Sequence, residues 1–191
     1  MRVGVLALQG DFREHALMLG GVGIEVALVR QSDDLSGIDG LIVPGGESTT
    51  IGKLAERFGL LEPLRAAIAD GMPTLGTCAG MIFLAGSTTE SRPQIQLGVL
   101  DVVVRRNAFG RQVSSFEADL EVAGLSGGPT HAVFIRAPWI DKLGAGVEVL
   151  AEVEGHPVMV RERNVVATSF HPELTGDGRI HTLVFSTVGE A

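Results

Sequence analysis

Residues 2–8 form a near-continuous apolar run, as a strand covered on both faces would. Apolar positions then thin to one stripe, Phe12, Ala16 and Leu19, which predicts a helix over 12–19. A second apolar run, Ile24 to Val29, predicts another strand, and Gln31-Ser32-Asp33-Asp34 reads as a turn. Gly40 to Val43 predicts a short buried strand halted by Pro44-Gly45-Gly46. Ser48 or Thr49 stands where a helix cap belongs, ahead of a helix that carries Ile51, Leu54, Ala55 and Phe58 inward. Leu60 to Ala69 predicts a further helical piece. Met72 to Leu75 is extended by pattern, and Met81 to Ala85 is helical. Strands alternating with helices imply a parallel sheet with helices on both faces.

Past Ala85 the pattern changes. Residues 86–97 are polar and predict an exposed loop. Val99–Val104, Phe116–Val122, Val133–Arg136, Val147–Val153, Val158–Arg161 and Val165–Phe170 then predict consecutive strands, separated by turns such as Glu154 to Pro157 and Arg163-Asn164. Gly178 to Val188 has helical spacing at Ile180, Leu183 and Val184. The expected fold class is α/β in three layers: a mostly parallel central sheet flanked by helices, with antiparallel strands added in the C-terminal half. The sequence contains no repeat, low-complexity tract or linker, so residues 1–191 are expected to form one domain.

Composition narrows the function classes. Hydrophobic residues at 45% and charged residues at 20% argue against disorder. A net charge of −8 and a pI near 5.1 argue against a nucleic-acid partner, which would call for a basic face. No apolar stretch reaches the ~18 residues of a membrane span. The first eight residues, charged then apolar, run into Gln9-Gly10-Asp11 without a small-residue cleavage site, so they read as a strand and not as a signal peptide. A lone cysteine permits no internal disulfide, and the expected location is the cytoplasm.

That cysteine sits in Gly76-Thr77-Cys78-Ala79-Gly80, between an extended run and a helical one. Strand, glycine, nucleophile, glycine, helix is the layout of a nucleophile elbow, where a tight turn lifts one side chain clear of the sheet. A helix N-terminus there favours thiolate over thiol. A buried structural cysteine is the alternative reading. Phe170-His171-Pro172-Glu173 follows the last expected strand. Proline keeps His171 out of the helical region. In an extended segment His171 and Glu173 face the same side, the carboxylate holding one ring nitrogen and freeing the other as a base. An ordinary surface turn fits the same tripeptide. Pro44-Gly45-Gly46-Glu47-Ser48-Thr49-Thr50 lies between a strand and a helix start, where backbone N–H groups of Gly45 and Gly46 can receive an oxyanion. A plain Pro-Gly turn also fits, whereas a nucleotide loop would need a Gly-Lys-Ser/Thr that is missing. His15, His131, His156 and His181 show no metal-ligand spacing, and His15 and His181 read as surface or packing residues on helices. Asp11 and Glu14, near the end of the first strand, could approach the site or a partner, but solvent-exposed charge is the favoured reading, and Trp139 reads as a loop residue without a role.

Taken together, the segments around Gly45-Gly46-Glu47-Ser48, Cys78 and His171-Pro172-Glu173 resemble the class I (triad) glutamine amidotransferases, a flavodoxin-like α/β family. More narrowly, the chain is similar to the glutaminase subunits of pyridoxal 5′-phosphate synthase. That match rests on Gly4 to Gly10, Gly45 to Thr50, Arg106-Asn107-Ala108-Phe109-Gly110-Arg111-Gln112 with Ser115 to Asp119, and Phe134 to Pro138. The resemblance implies Cys78 as nucleophile, His171 as general acid/base and Glu173 as its orienter. It implies a glutamine site of Gly46, Glu47, Ser48, Arg106, Ile135 and Arg136, with Gly45 and Gly46 in the oxyanion hole. Charge alone does not separate Arg105 from Arg106; the alignment selects Arg106. L-glutamine would be the substrate and no cofactor or metal would be needed. The partner would be a TIM-barrel synthase subunit that takes the ammonia, and the glutaminase would be nearly silent until docked. A glutaminase for another acceptor, such as imidazole glycerol phosphate synthase, and a cysteine hydrolase or deglycase on a similar elbow are the competing readings.

Overall fold

The opening apolar run forms β1 (Arg2–Leu6), and α1 (Phe12–Gly21) returns the chain to β2 (Glu25–Val29), which pairs parallel with β1. This computed structural model describes residues 1–108 and 115–186; Phe109 to Gln112 of the expected glutamine-site block, and the last part of the expected final helix, lie outside the described residues. The turn at 31–34 is a 3-10 turn, Ser32–Leu35, held by the Asp34 carboxylate accepting from the Arg30 and Gln31 N–H groups. Next come β3 (Gly40–Val43), α2 (Ser48–Arg57), α3 (Leu61–Ala69), β4 (Thr74–Thr77) and α4 (Ala79–Leu84). The second half contributes β5 (Ala85–Thr88), β6 (Leu100–Arg105), β7 (Ser115–Leu120), β8 (Thr130–Ile135) and β9 (Trp139–Leu143). It closes with β10 (Glu148–Val153), β11 (His156–Glu162), β12 (Val165–Thr168), a 3-10 turn Pro172–Leu174, and α5 (Arg179–Phe185).

The central sheet has the order β10-β11-β12-β4-β3-β1-β2, parallel from β12 to β2 and antiparallel from β10 to β12. Alternation along each strand divides the core between two faces. Leu41 and Val43 point to the side covered by α2, α3 and α4, where Ile51, Ala55, Leu64, Ile68 and Met81 are buried. Val3, Val5 and Ile42 point to the side covered by α1 and α5, where Leu19, Ile180, Val184 and Phe185 are buried. Each such large side chain is worth about 1.5–3 kcal/mol over its exposed state. Gly40 permits a close packing on this second side, because a Cβ there would stand 2.8 Å from the Phe185 ring. The hairpin of β7 and β8 adds Leu120, Ala132 and Phe134 to that second face.

Several expectations are corrected. Glu47, not Ser48 or Thr49, caps α2, its carboxylate accepting from the N–H groups of Thr49 (3.1 Å) and Thr50 (2.8 Å). Phe58 does not turn inward; it lies past the end of α2 and is 52% exposed, while Leu60 takes the buried position. The stretch expected as a loop begins with β5, which pairs parallel with β6. Trp139 opens β9 instead of lying in a loop, pairs with Arg105 across β6, and stacks on His156 at 3.6 Å between ring centroids. Only Ile140 of β9 is buried, which is why its pattern of polar residues did not read as a strand.

The topology aims the chemistry. The chain leaves β1 towards β2 on one side and returns to place β3 on the other, so a crevice opens at the carboxyl ends of β1 and β3. Gln9 to Asp11, Pro44 to Glu47, Cys78 and His171 all follow the carboxyl ends of the parallel strands β1, β3, β4 and β12.

Candidate active site

Cys78 occupies the turn between β4 and α4 with φ 48° and ψ −103°, a backbone conformation that a side-chain-bearing residue adopts only when its surroundings enforce it. Its N–H donates to Thr168 O at 2.7 Å, tying the turn to the end of β12. Gly80 permits the tight approach of α4, since a Cβ there would lie 2.0 Å from Val43 O. The thiol is 8% exposed, with its sulfur 3.9 Å from Ile135 O.

His171 follows β12, its N–H donating to Val133 O at 2.9 Å. Its Nδ1 is 2.7 Å from Glu173 Oε1 and 3.5 Å from Asp11 Oδ2. His171 itself stays outside the helical region, with φ −107° and ψ 85°, but Pro172–Leu174 curl into the 3-10 turn. The carboxylate therefore reaches the ring through a folded turn and not along an extended strand. With Nδ1 engaged by Glu173, Nε2 is the nitrogen left to serve Cys78. Burial works against a charged imidazole here. The nearby Cys78 and the hydrogen bond and negative charge of Glu173 outweigh it, and His171 is raised to about 10. Burial pushes the Glu173 carboxyl up, and the bond from His171 offsets part of that.

Around the sulfur lies a small cleft of about 100 Å³ lined by Gly46, Glu47, Ser48, Cys78, Ala79, Ile82, Arg106, Asn107, Ile135, Arg136 and Pro138. All six residues expected to contact glutamine thus share one cleft with the thiol. Gly45 packs under the imidazole: a Cβ there would be 2.6 Å from His171 Cε1. Gly46 has φ 147°, and the Glu47 N–H donates to Gln9 Oε1 at 2.7 Å. Arg106 Nη2 lies 3.3 Å from Glu47 Oε1, and Arg136 is exposed in a positive-φ turn after β8. Ser48 Oγ donates to Gln94 Oε1 at 3.1 Å. Burial opposes ionisation of Glu47, but hydrogen bonds from Thr50 and Thr49 prevail and hold it at about 2. Larger clefts of about 380 and 440 Å³ contain neither Cys78 nor His171.

Asp11 Oδ2, His171 Nδ1 and a Glu173 oxygen lie within 4.8 Å of one another and have the composition of a metal site. The 2.7 Å between His171 and Glu173 is a hydrogen-bond distance, shorter than the roughly 3.3 Å separating two ligands on a tetrahedral zinc. Sequence reasoning favoured solvent for Asp11, which neighbours the base, and missed Gln9 as a partner of the glycine loop and the contact between the wholly buried His15 and His181. A single polar residue on a helical stripe carries no signal of what faces it across the fold.

Residues 5–189 fit the model of the SNO glutamine amidotransferase family. The chain belongs to that family. It is 60% identical to the pyridoxal 5′-phosphate synthase subunit PdxT of Frankia casuarinae, over 98% of this chain and 94% of that one. A crystal structure of a glutamine amidotransferase is 55% identical, with a TM-score of 0.94 over 98% of both chains. The fold extends to the structure of PurLQS from Thermotoga maritima, 18% identical, with a TM-score of 0.74 over 97% of this chain and 98% of that one. The α/β fold with a mostly parallel sheet and added antiparallel strands is therefore that of glutamine amidotransferase structures.

Proposed function

We propose that this chain hydrolyses L-glutamine to L-glutamate and ammonia, and that it supplies the ammonia to a synthase subunit that builds pyridoxal 5′-phosphate. The observation that carries the reading is a cleft holding the thiol and two arginines, with a buried His–Glu pair after the strand next to that of the thiol, in a chain 60% identical to a protein named as a subunit of that synthase. In this reading residues 1–191 act as one glutaminase domain. The substrate carboxylate pairs with Arg106 or Arg136, whose planar forks suit it. Gly46, Glu47, Ser48 and Ile135 line the remaining walls.

The Cys78 sulfur attacks the carboxamide carbon, and the oxygen takes the negative charge towards the N–H groups of the Gly45–Gly46 loop. His171, protonated and held by Glu173, gives its Nε2 proton to the leaving nitrogen, and ammonia departs from a γ-glutamyl thioester. The neutral ring then accepts a proton from water, the hydroxide attacks the thioester, and glutamate leaves as the thiolate–imidazolium pair is restored. Side chains and water balance every step. Pyridoxal 5′-phosphate is a product of the assembly in this account and not a ligand of the chain, and the partner is a TIM-barrel protein by family resemblance. Glutamate release by the pure chain, with and without the cognate synthase, tests the reading. Activity should rise strongly on addition of the synthase, and no glutamate release under either condition would overturn it.

A further inference from the structure

His15 of α1 is completely buried and borders the triad from behind. Its Nδ1 lies 3.0 Å from His181 Nε2 of α5. Its Nε2 lies 3.0 Å from Thr77 Oγ1, the residue before the nucleophile, and 3.3 Å from Glu173 Oε2. Glu173 uses Oε1 for His171, while Oε2 is buried, has no hydrogen bond among the described residues, and faces His15 off the line of the ring N–H.

The protons can be placed from this geometry. Burial, with the nearby imidazoles of His181 and His171, holds His15 well below the usual histidine range, so it carries a single N–H. His181 Nδ1 is buried without a partner among the described residues. A buried N–H left unpaired is rarer and more costly than a bare acceptor. His181 therefore keeps its hydrogen on Nε2 and donates it to His15 Nδ1. The hydrogen of His15 is then on Nε2, directed into the gap between Thr77 Oγ1 and Glu173 Oε2.

We propose that His15 is a positioning residue for the glutaminase reaction: its Nε2–H, oriented by His181 and directed between Thr77 Oγ1 and the far oxygen of Glu173, steadies that oxygen electrostatically from 3.3 Å and so favours the plane in which Oε1 meets His171. The proposal rests on the glutaminase reading above. A carboxylate held through one oxygen alone can swing, carrying the imidazole with it, and a displacement of about 1 Å is worth up to about 100-fold in rate. His15 does not line the substrate cleft, so it acts through the groups it touches, Glu173 and Thr77, and not on the substrate.

Side-chain geometry supplies a paired test in the full chain with its synthase. His15→Gln places an amide N–H near the position of Nε2, whereas His15→Asn places it near Nδ1 and leaves Glu173 Oε2 unmet. His15→Gln should keep kcat within about threefold of wild type. His15→Asn and His15→Phe should lose roughly 10- to 100-fold in kcat with KM for glutamine unchanged. Equal kcat in the Asn variant and wild type would overturn the role of His15. Equal losses in the Gln and Asn variants at matched thermal midpoints would also overturn it, as a merely structural residue would behave so. If His15→Phe does not fold, the Gln–Asn pair still decides. Wild type that releases no glutamate would remove the glutaminase reading and this proposal with it; active wild type matched by His15→Asn removes only the proposal.

Discussion

Replacing Glu173 by Gln separates what the triad needs from what the fold needs. The side chain is fully buried, Oε1 is 2.7 Å from His171 Nδ1, and Oε2 has no hydrogen bond among the described residues. Glutamine keeps the volume and leaves an amide oxygen able to accept from Nδ1, but it removes the charge. A hydrogen bond to a charged group contributes about 1.5–3 kcal/mol and a neutral one about 0.5–1.5, so the imidazolium loses about 1–2 kcal/mol of support. That corresponds to a roughly 5- to 30-fold fall in kcat/KM, read as glutamate release in the presence of the synthase. Stability should not fall with it. A carboxyl whose folded value is raised, as burial raises Glu173, destabilises the fold once pH exceeds its unfolded value near 4.5 and does so in full above the folded value. At pH 8 that relief, about 2–4 °C for each kcal/mol, is offset by the new amide N–H facing His15 Nε2–H and by the lost support of the His171 charge, so the Gln variant should melt close to the wild-type Tm and not several degrees below it. Wild-type turnover in Glu173→Gln would refute the orienting role, and a Tm several degrees lower would refute the stated cost of burying the charge.

Other expectations follow from the same contacts. Cys78→Ala should abolish glutamate release and keep the strained turn, while Cys78→Gly should be equally inactive yet melt higher, because φ 48° costs a side-chain-bearing residue about 1 kcal/mol or more; equal Tm values would dismiss that strain. His181 is held down to about 4 by burial, so its contribution to stability is intact above pH 6.5 and is lost as pH falls towards 4, by about 3 kcal/mol. Urea unfolding at pH 7.5 and 4.5 measures this, and His181→Gln should flatten the difference. Gly10→Ala should disrupt the glycine loop, since φ is +95° and the new Cβ would sit 1.8 Å from Gly45 O; a loss of at least about 2 kcal/mol with impaired glutamate release is expected, and wild-type behaviour would contradict it.

The sequence carried the parallel half of the fold well because buried strands such as Gly40–Val43 and Thr74–Thr77 are buried throughout and bounded by glycine or proline. Those same boundaries hold the loops that bear Gly46, Cys78 and His171, so the chemistry lies where the pattern breaks. The edge elements were harder to read. β9 has one buried residue, and β5 lies in a polar stretch whose strand character comes from its pairing with β6. Glu47 as a cap was hidden by the stronger preference of Ser48 and Thr49 for that position. His15 and His181 are 166 positions apart, and nothing local to either records that they touch behind Glu173.

The most direct measurement is mass mapping of the acid-quenched complex of this chain with its synthase during glutamine turnover. The peptide containing Cys78 should carry one γ-glutamyl group as a thioester, with no such adduct in Cys78→Ala and its accumulation changed in His171→Gln. Glutamate release at the wild-type rate from Cys78→Ala, or γ-glutamyl label on a different residue, would contradict the account.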